Sequence, residues 1–130
     1  MSTIAEYGDL DGLALAALVR AGEVAPHELV EEAIRRAESV GAELGAIVAP
    51  MYDQARELSR KTLPEGPFRG VPFLLKDLLA AAAGAPFQSG SRFFRGHVPA
   101  HDAELVRRYR AAGLVPVAKT ATSEFGITPY

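Results

Sequence analysis

Two short apolar runs, each followed by a lysine, constrain the fold more than any other feature of the sequence. The first run covers residues 71–75 and precedes Lys76, and the second covers residues 114–118 and precedes Lys119. Continuous apolar runs of this length are typical of strands that are buried on both faces. The segment between them includes a predicted helix, which favours parallel pairing of the two strands. The sequence therefore predicts an α/β fold.

The chain before the first run predicts helices. Either Asp9 or Asp11 is suited to cap a short first helix, and Pro26 is suited to the first turn of a second one. Residues 51–63 predict a third helix, rich in charge, which ends before a proline. Between the second and third helices, the apolar residues 44–50 are compatible with a short extended piece.

The segment that joins the two apolar runs combines irregular backbone with a helix. Residues 80–98 are dense in glycine, proline and aromatic side chains, which indicates irregular structure packed by its own side chains. Asp102 is suited to cap a helix that runs to Ala112, with Gly113 as its C-terminal stop. Pro72, which cannot donate a hydrogen bond to a sheet, is placed at the start of the first strand.

We expect one domain over residues 1–130, helical over 1–63 and strand–loop–helix–strand over 64–130. Two strands are too few for a stable sheet, so this portion is expected to be an incomplete fold. Its unpaired strand edges would favour association. The sequence therefore predicts self-association or a homo-oligomer.

Composition excludes several classes of function. The 130 residues carry a net charge of −2, so no excess of positive charge indicates binding to nucleic acid or to an anionic membrane. Without cysteine there is no disulfide and no thiol nucleophile. The acidic N-terminus lacks the features of a signal peptide, and no apolar run approaches a membrane span. We therefore expect a cytoplasmic protein.

Lys76 is the first candidate for chemistry. A lysine at the C-terminal end of a parallel strand lies where α/β folds place their ligand sites. Partial burial would lower its pKa and make a neutral amine available as a base. The structural alternatives are a side chain that extends into water, or an ion pair with the neighbouring Asp77.

Other polar groups are weaker candidates. Residues 88–91, Gln-Ser-Gly-Ser, could direct hydroxyls or N–H groups towards an anion, although such clusters are mostly turns. His97 and His101 lack a well-placed third ligand, so no metal site is expected. Lys119 begins a polar loop that could line the same cleft as Lys76, and Glu124 in that loop could pair with a lysine.

Three blocks of the sequence resemble the amidase-signature family in their order and separation. The first is GPFRGVPFLLKDL at residues 66–78, and the second is the glycine-to-serine stretch at residues 84–91. The third is DAELVRRYRAAGLVPVAKTATSEFG at residues 102–126. The resemblance covers almost the whole chain. Its motifs are most similar to the branch that includes aminohexanoate cyclic-dimer hydrolases.

The resemblance implies an amide hydrolase with a Ser–cis-Ser–Lys triad, in which Lys76 is the lysine. The neutral lysine takes a proton from a bridging serine, which deprotonates the nucleophilic serine, and an acyl-enzyme forms. The implied partner is a small amide substrate, and the implied reaction needs no metal or organic cofactor. The serine motifs of the family lie beyond Tyr130, so this chain alone is expected to be inactive.

Two positions depart from the family pattern, and two other functions stay open. Ala118 stands where the family has glycine and Ala121 where it has asparagine, which bears on substrate preference. One alternative is a stand-alone protein that keeps the scaffold and binds a partner without catalysis. The other is the A-type subunit of an amidotransferase, which passes ammonia to a misacylated transfer RNA.

Overall fold

Four helices surround a sheet of three strands in the part of the chain that is described. The computed structural model describes residue 4 and residues 6–129. The elements in chain order are α1 (Gly12–Ala21), α2 (Pro26–Arg36), β1 (Ile47–Pro50), α3 (Tyr52–Ser59), β2 (Pro72–Lys76), α4 (Glu104–Ala111) and β3 (Val115–Thr120). A π-helical turn, Ala37–Gly41, extends α2, and two 3-10 turns cover Arg92–Phe94 and Glu124–Gly126.

The sheet is mixed, and β3 is its central strand. The strand order is β1-β3-β2, with β2 parallel and β1 antiparallel to β3. The predicted parallel pairing is therefore confirmed. The extended piece predicted at residues 44–50 is found as β1, which pairs with the other side of β3, so the described sheet has three strands rather than the two expected for it. The predicted loop at Lys119 is also corrected, since β3 continues through Lys119 to Thr120.

The two parallel strands differ in burial. All positions of β3 up to Lys119 are buried, as predicted. In β2, by contrast, Leu74 is 46% exposed and only Leu75 is buried. The prediction that residues 71–75 are buried on both faces is therefore wrong in part. The reason is positional: β2 is an edge strand among the described residues, and Leu74 lines an open groove beside α2.

The predicted helix ends are mostly confirmed. The Asp11 carboxylate accepts a hydrogen bond from the Ala14 N–H at 2.9 Å, which caps α1. Pro26 occupies the first turn of α2. Helix α3 ends at Ser59, earlier than the predicted residue 63. Pro64 disfavours helical backbone at the residue before it. Leu63 instead packs into the core, where it is 3% exposed.

The prediction that Asp102 caps the fourth helix is wrong. The cap position of α4 is Ala103, which makes no side-chain capping bond. The Asp102 carboxylate instead accepts hydrogen bonds from the Ala83 N–H at 2.8 Å and from Arg110 Nε at 2.9 Å. Asp102 therefore ties the irregular segment 80–98 to α4.

Three apolar clusters form the core. One lies between α2, α3 and β3 and contains Val30, Ile34, Ala55, Leu63, Val115 and Val117. A second lies under the irregular segment and contains Met51, Leu75, Ala80, Ala82, Ala85 and Val106. A third involves α1 and contains Leu15, Ala16, Leu29, Val71 and Leu114. The first cluster thus packs α2 and α3 against the sheet, and the second packs α4 and the irregular segment near the ends of β2 and β3.

The described helices are short, between 8 and 11 residues each. None of them has the length and apolar character that a membrane crossing requires.

Candidate active site

Two lysines lie near the carboxyl ends of the parallel strands in opposite environments. Leu75 is the register partner of Lys119, and Lys76 is the partner of Thr120. Because side chains alternate along a strand, Lys76 and Lys119 extend from opposite faces of the sheet. Lys76 is exposed, whereas Lys119 is 0% exposed.

Lys76 has no ion pair or hydrogen bond to its side chain within the described residues. The expected partial burial is not found, and its neighbour Asp77 pairs with Lys119 instead. The side chain therefore extends into solvent from the carboxyl end of β2. Its assignment as the catalytic lysine stays a prediction.

Lys119 is enclosed by three groups from the segment after β2. Its ammonium group donates to the Ala80 carbonyl oxygen, lies 3.6 Å from a carboxylate oxygen of Asp77 and sits 4.7 Å from the ring centre of Phe87. Burial lowers the pKa of Lys119 below its ordinary value, and the nearby Asp77 opposes part of that shift. The expectation of a polar loop at this position is thus replaced by a buried cation inside a strand.

The turn after Lys76 is attached to β3 and to the irregular segment. The Asp77 N–H donates to the Thr120 carbonyl at 3.0 Å. Its buried carboxylate accepts from the Gln88 N–H at 3.3 Å. Leu79, in the same turn, has φ 63°, in the left-handed region that non-glycine residues rarely adopt. The turn therefore holds a strained residue between two fixed ends.

The serine cluster joins two loops. Ser89 and Ser91 are buried, and Ser91 Oγ donates to the Glu124 carboxylate at 2.7 Å. The Phe125 N–H donates to the Ser89 carbonyl at 2.8 Å. Glu124 is therefore paired with a serine rather than with a lysine. Both hydroxyl-bearing residues serve a contact between loops in this structure.

Gly90 permits that contact. A Cβ at Gly90 would lie 2.6 Å from the Thr122 carbonyl oxygen, which is closer than atoms can approach, and its φ is +66°. Only glycine satisfies both conditions without a shift of the backbone.

A small cavity of about 220 Å³ opens beside the cluster. It is lined by Val48, Ala49, Asp77, Pro86, Gln88, Gly90 and Ser91. An apolar groove of about 370 Å³ lies elsewhere, between α2 and the edge of β2, and carries no acid or base beyond Tyr7 and Arg36. Lys76 does not line either space.

His97 and the arginines of α4 make contacts within the fold and do not form a metal site among the described residues. Among residues 4 and 6–129, no group of three or more histidine, aspartate or glutamate side chains could hold a metal ion. His97 instead accepts from the Phe87 N–H through its backbone carbonyl. On α4, the exposed Arg107 and Arg108 both pair with Glu104.

Sequence reasoning missed the partners of Lys119. Its burial could have been inferred from its place directly after an apolar run of strand length. Its contacts with Ala80 and Phe87 could not, because both lie in the segment without periodic pattern. The structure thus brings Asp77 and Lys119 together and leaves Lys76 apart from both.

Comparison with known proteins places these features in one family. Residues 28–130 match the Amidase family. The chain is 42% identical over 118 residues to 6-aminohexanoate-cyclic-dimer hydrolase of Paenarthrobacter ureafaciens, covering 89% of this chain and 24% of that protein. It is 35% identical over 116 residues to the A-type subunit of glutamyl-tRNA(Gln) amidotransferase of Anaeromyxobacter sp. (strain K), covering 84% and 23%.

The fold shows the same relationship. A solved structure of 6-aminohexanoate cyclic dimer hydrolase complexed with substrate superposes with a TM-score of 0.84 at 39% identity, covering 94% of this chain and 25% of that one. The chain therefore spans about a quarter of the length of these relatives. The mixed sheet, the order of the motifs and these matches agree, and the chain belongs to the amidase family.

Proposed function

We propose that the protein carrying this chain hydrolyses carboxylic amides and that Lys76 supplies the general base. The observation that carries the proposal is the position of Lys76. It lies exposed at the carboxyl end of a parallel strand, in a chain of the amidase family, without an ion pair among the described residues.

In this proposal Lys76 acts as the proton acceptor of a serine pair. The neutral amine takes a proton from a bridging serine, which in turn deprotonates the serine that attacks the amide carbonyl. An acyl-serine forms, the amine or ammonia leaves, and water releases the acid. In this proposal both serines lie beyond Tyr130, where the family resemblance places their motifs, and the Ser91 hydroxyl is bonded to Glu124. The 130-residue chain alone is then inactive.

We further propose a cyclic or linear amide of an amino acid as the substrate class. The support is the 42% identity with a 6-aminohexanoate-cyclic-dimer hydrolase. Of the two positions that depart from the family pattern, Ala118 is buried within β3 and Ala121 follows directly after its last residue.

The test is amide hydrolysis by the complete gene product, with 6-aminohexanoate cyclic dimer and simple linear amides as substrates. Lys76→Ala is expected to lower kcat by about a thousandfold, the range of a lost general base. Lys61→Ala is the matched control, because Lys61 is an exposed lysine paired with Glu57 on the surface. Full turnover by Lys76→Ala would refute the role of Lys76. A wild-type protein that leaves every amide intact would refute the function.

A second candidate function is that of the A-type amidotransferase subunit. The 35% identity with this component of a glutamyl-tRNA(Gln) amidotransferase supports it. The arginines of α4 offer little to an RNA, because Arg107 and Arg108 share Glu104 and Arg110 pairs with Asp102. Glutamine-dependent release of ammonia, with no hydrolysis of cyclic amides, would favour this candidate over the first.

A further inference from the structure

The turn that follows Lys76 contains a residue with a strained backbone. Leu79 has φ 63° and a side chain that is 75% exposed, so no packing of that side chain offsets the unfavourable backbone. Strained residues of this kind persist only where the surrounding structure fixes them. The turn is instead fixed by its neighbouring groups: the Ala80 side chain is buried in the second apolar cluster, and the backbone and Asp77 make the polar contacts.

Lys119 contacts the turn at both ends. Its ammonium group donates to the carbonyl of Ala80, directly after Leu79, and lies 3.6 Å from the carboxylate of Asp77, directly before Leu78. The main chain adds one more bond, from the Asp77 N–H to the Thr120 carbonyl. A single buried side chain on the central strand thus spans the strained turn.

Lys119 cannot itself take part in proton transfer to a substrate. Its side chain is 0% exposed, and the ring of Phe87 covers the ammonium group at 4.7 Å. A group that no substrate can reach acts through the residues that it contacts.

We propose that Lys119 is a positioning residue that clamps the strained turn 77–80 and thereby fixes the end of β2 from which Lys76 extends. The expected effect on turnover rests on the proposed function, in which Lys76 is the general base. The clamp itself is a property of the turn and can be measured without activity. Its signature is a dependence on Leu79, because glycine adopts a positive φ without strain and needs no clamp.

The experiment compares Lys119→Met, Leu79→Gly and the double variant in the complete gene product. Lys119→Met is expected to lower kcat by about a hundredfold with little change in KM, the loss typical of a displaced catalytic group. Adding Leu79→Gly is expected to restore kcat by about tenfold, because the turn then keeps its conformation unaided. Lys61→Met, the exposed control, should leave kcat unchanged.

Hydrogen exchange supplies the readout that does not need activity. The amides of Asp77 and Gln88, which bond to Thr120 and to Asp77, should exchange about tenfold faster in Lys119→Met and return towards wild-type rates in the double variant. Phe87→Leu is a milder variant, which removes the ring that covers the Lys119 ammonium group and keeps the charges of Lys119 and Asp77. It should give a smaller change in the same direction, and it serves if Lys119→Met fails to fold.

The outcomes separate the two proposals. If Lys119→Met and Phe87→Leu fold with unchanged exchange and unchanged kcat, the clamp is refuted, and the proposed function stands if Lys76→Ala is inactive. A folded double variant that is no better than Lys119→Met also refutes the clamp. If the wild type hydrolyses no amide, the proposed function fails, and the exchange rates still decide whether Lys119 holds the turn.

Discussion

Two buried charges, in two regions of the molecule, are accommodated in opposite ways. Glu32 on α2 is 6% exposed and accepts hydrogen bonds from Arg35 and Arg36, three and four residues further along the helix. These bonds lower the pKa of Glu32 to about 2, so the protein favours its charge. Lys119 is buried in β3, and burial lowers its pKa, so the protein disfavours that charge.

The contrast shows where the fold tolerates a loss of stability. The Glu32 cluster lies within one helix, and Arg35 and Arg36 remain 53% and 41% exposed. It therefore combines a buried carboxylate with two solvent-exposed cations. Lys119 is held by groups from a different segment, 39 residues away in the case of Ala80. A buried charge opposes folding unless close and well-oriented partners offset the cost of its desolvation. We infer that the Lys119 cluster is retained for the arrangement at the end of β2.

The largest expected effect concerns the buried cation. Lys119→Met is expected to lower the free energy of unfolding by about 3–5 kcal/mol, because the buried Asp77 carboxylate loses its cation. Lys119→Met combined with Asp77→Asn should recover a large part of that loss, since no unpaired charge then remains. Urea unfolding of the three proteins checks this. An equally unstable double variant would show that packing, rather than charge, dominates.

The next effect tests the contact between the loops beside Lys119. Gly90→Ala is expected to cost about 2–3 kcal/mol, from a positive φ and from a Cβ that meets the Thr122 carbonyl. Gly96→Ala is the matched control, because its φ is +83° with nothing within 4 Å of the added Cβ. The control should cost only the backbone part, about 1 kcal/mol. Equal losses in thermal or urea unfolding would contradict the close approach.

The smallest effect belongs to the local cluster. Glu32→Gln is expected to cost about 1–2 kcal/mol at pH 7, less than the whole shift implies because both arginines are exposed. The pKa of Glu32 is about 2 in the folded chain and about 4.5 in the unfolded chain. The stabilisation from its ion pairs is therefore present above pH 4.5 and is lost as the pH falls towards 2. The difference between wild type and Glu32→Gln should shrink over that interval. Glu43→Gln, at an exposed position, is the control variant.

The sequence predicted what depends on local pattern. Parallel β2 and β3 followed from two apolar runs joined through a helix, and the start of α1 from an aspartate cap, found at Asp11. The Glu32 cluster obeys helix spacing, since side chains three and four positions apart are neighbours, but the burial of Glu32 was not predicted.

The remaining features depend on partners that are distant in sequence. The exposure of Leu74 depends on which elements cover β2, and no property of the apolar run itself carries that information. Asp102 met a cap rule yet bonds to Ala83 and Arg110, because a tertiary contact outweighed the local one. The Lys119 ammonium group likewise contacts Asp77, Ala80 and Phe87, which lie in a segment without periodic pattern.

Competitive amine labelling of the folded chain, read by mass spectrometry at each of the three lysines, tests the contrast between Lys76 and Lys119. Lys76 and the exposed Lys61 are expected to react with acetic anhydride at comparable rates. Lys119 should react at least about a hundredfold more slowly, because its ammonium group becomes accessible only when the turn 77–80 opens. A Lys119 that reacts as fast as Lys61, or a Lys76 as protected as Lys119, would contradict the division of the two lysines into an accessible base and a buried clamp.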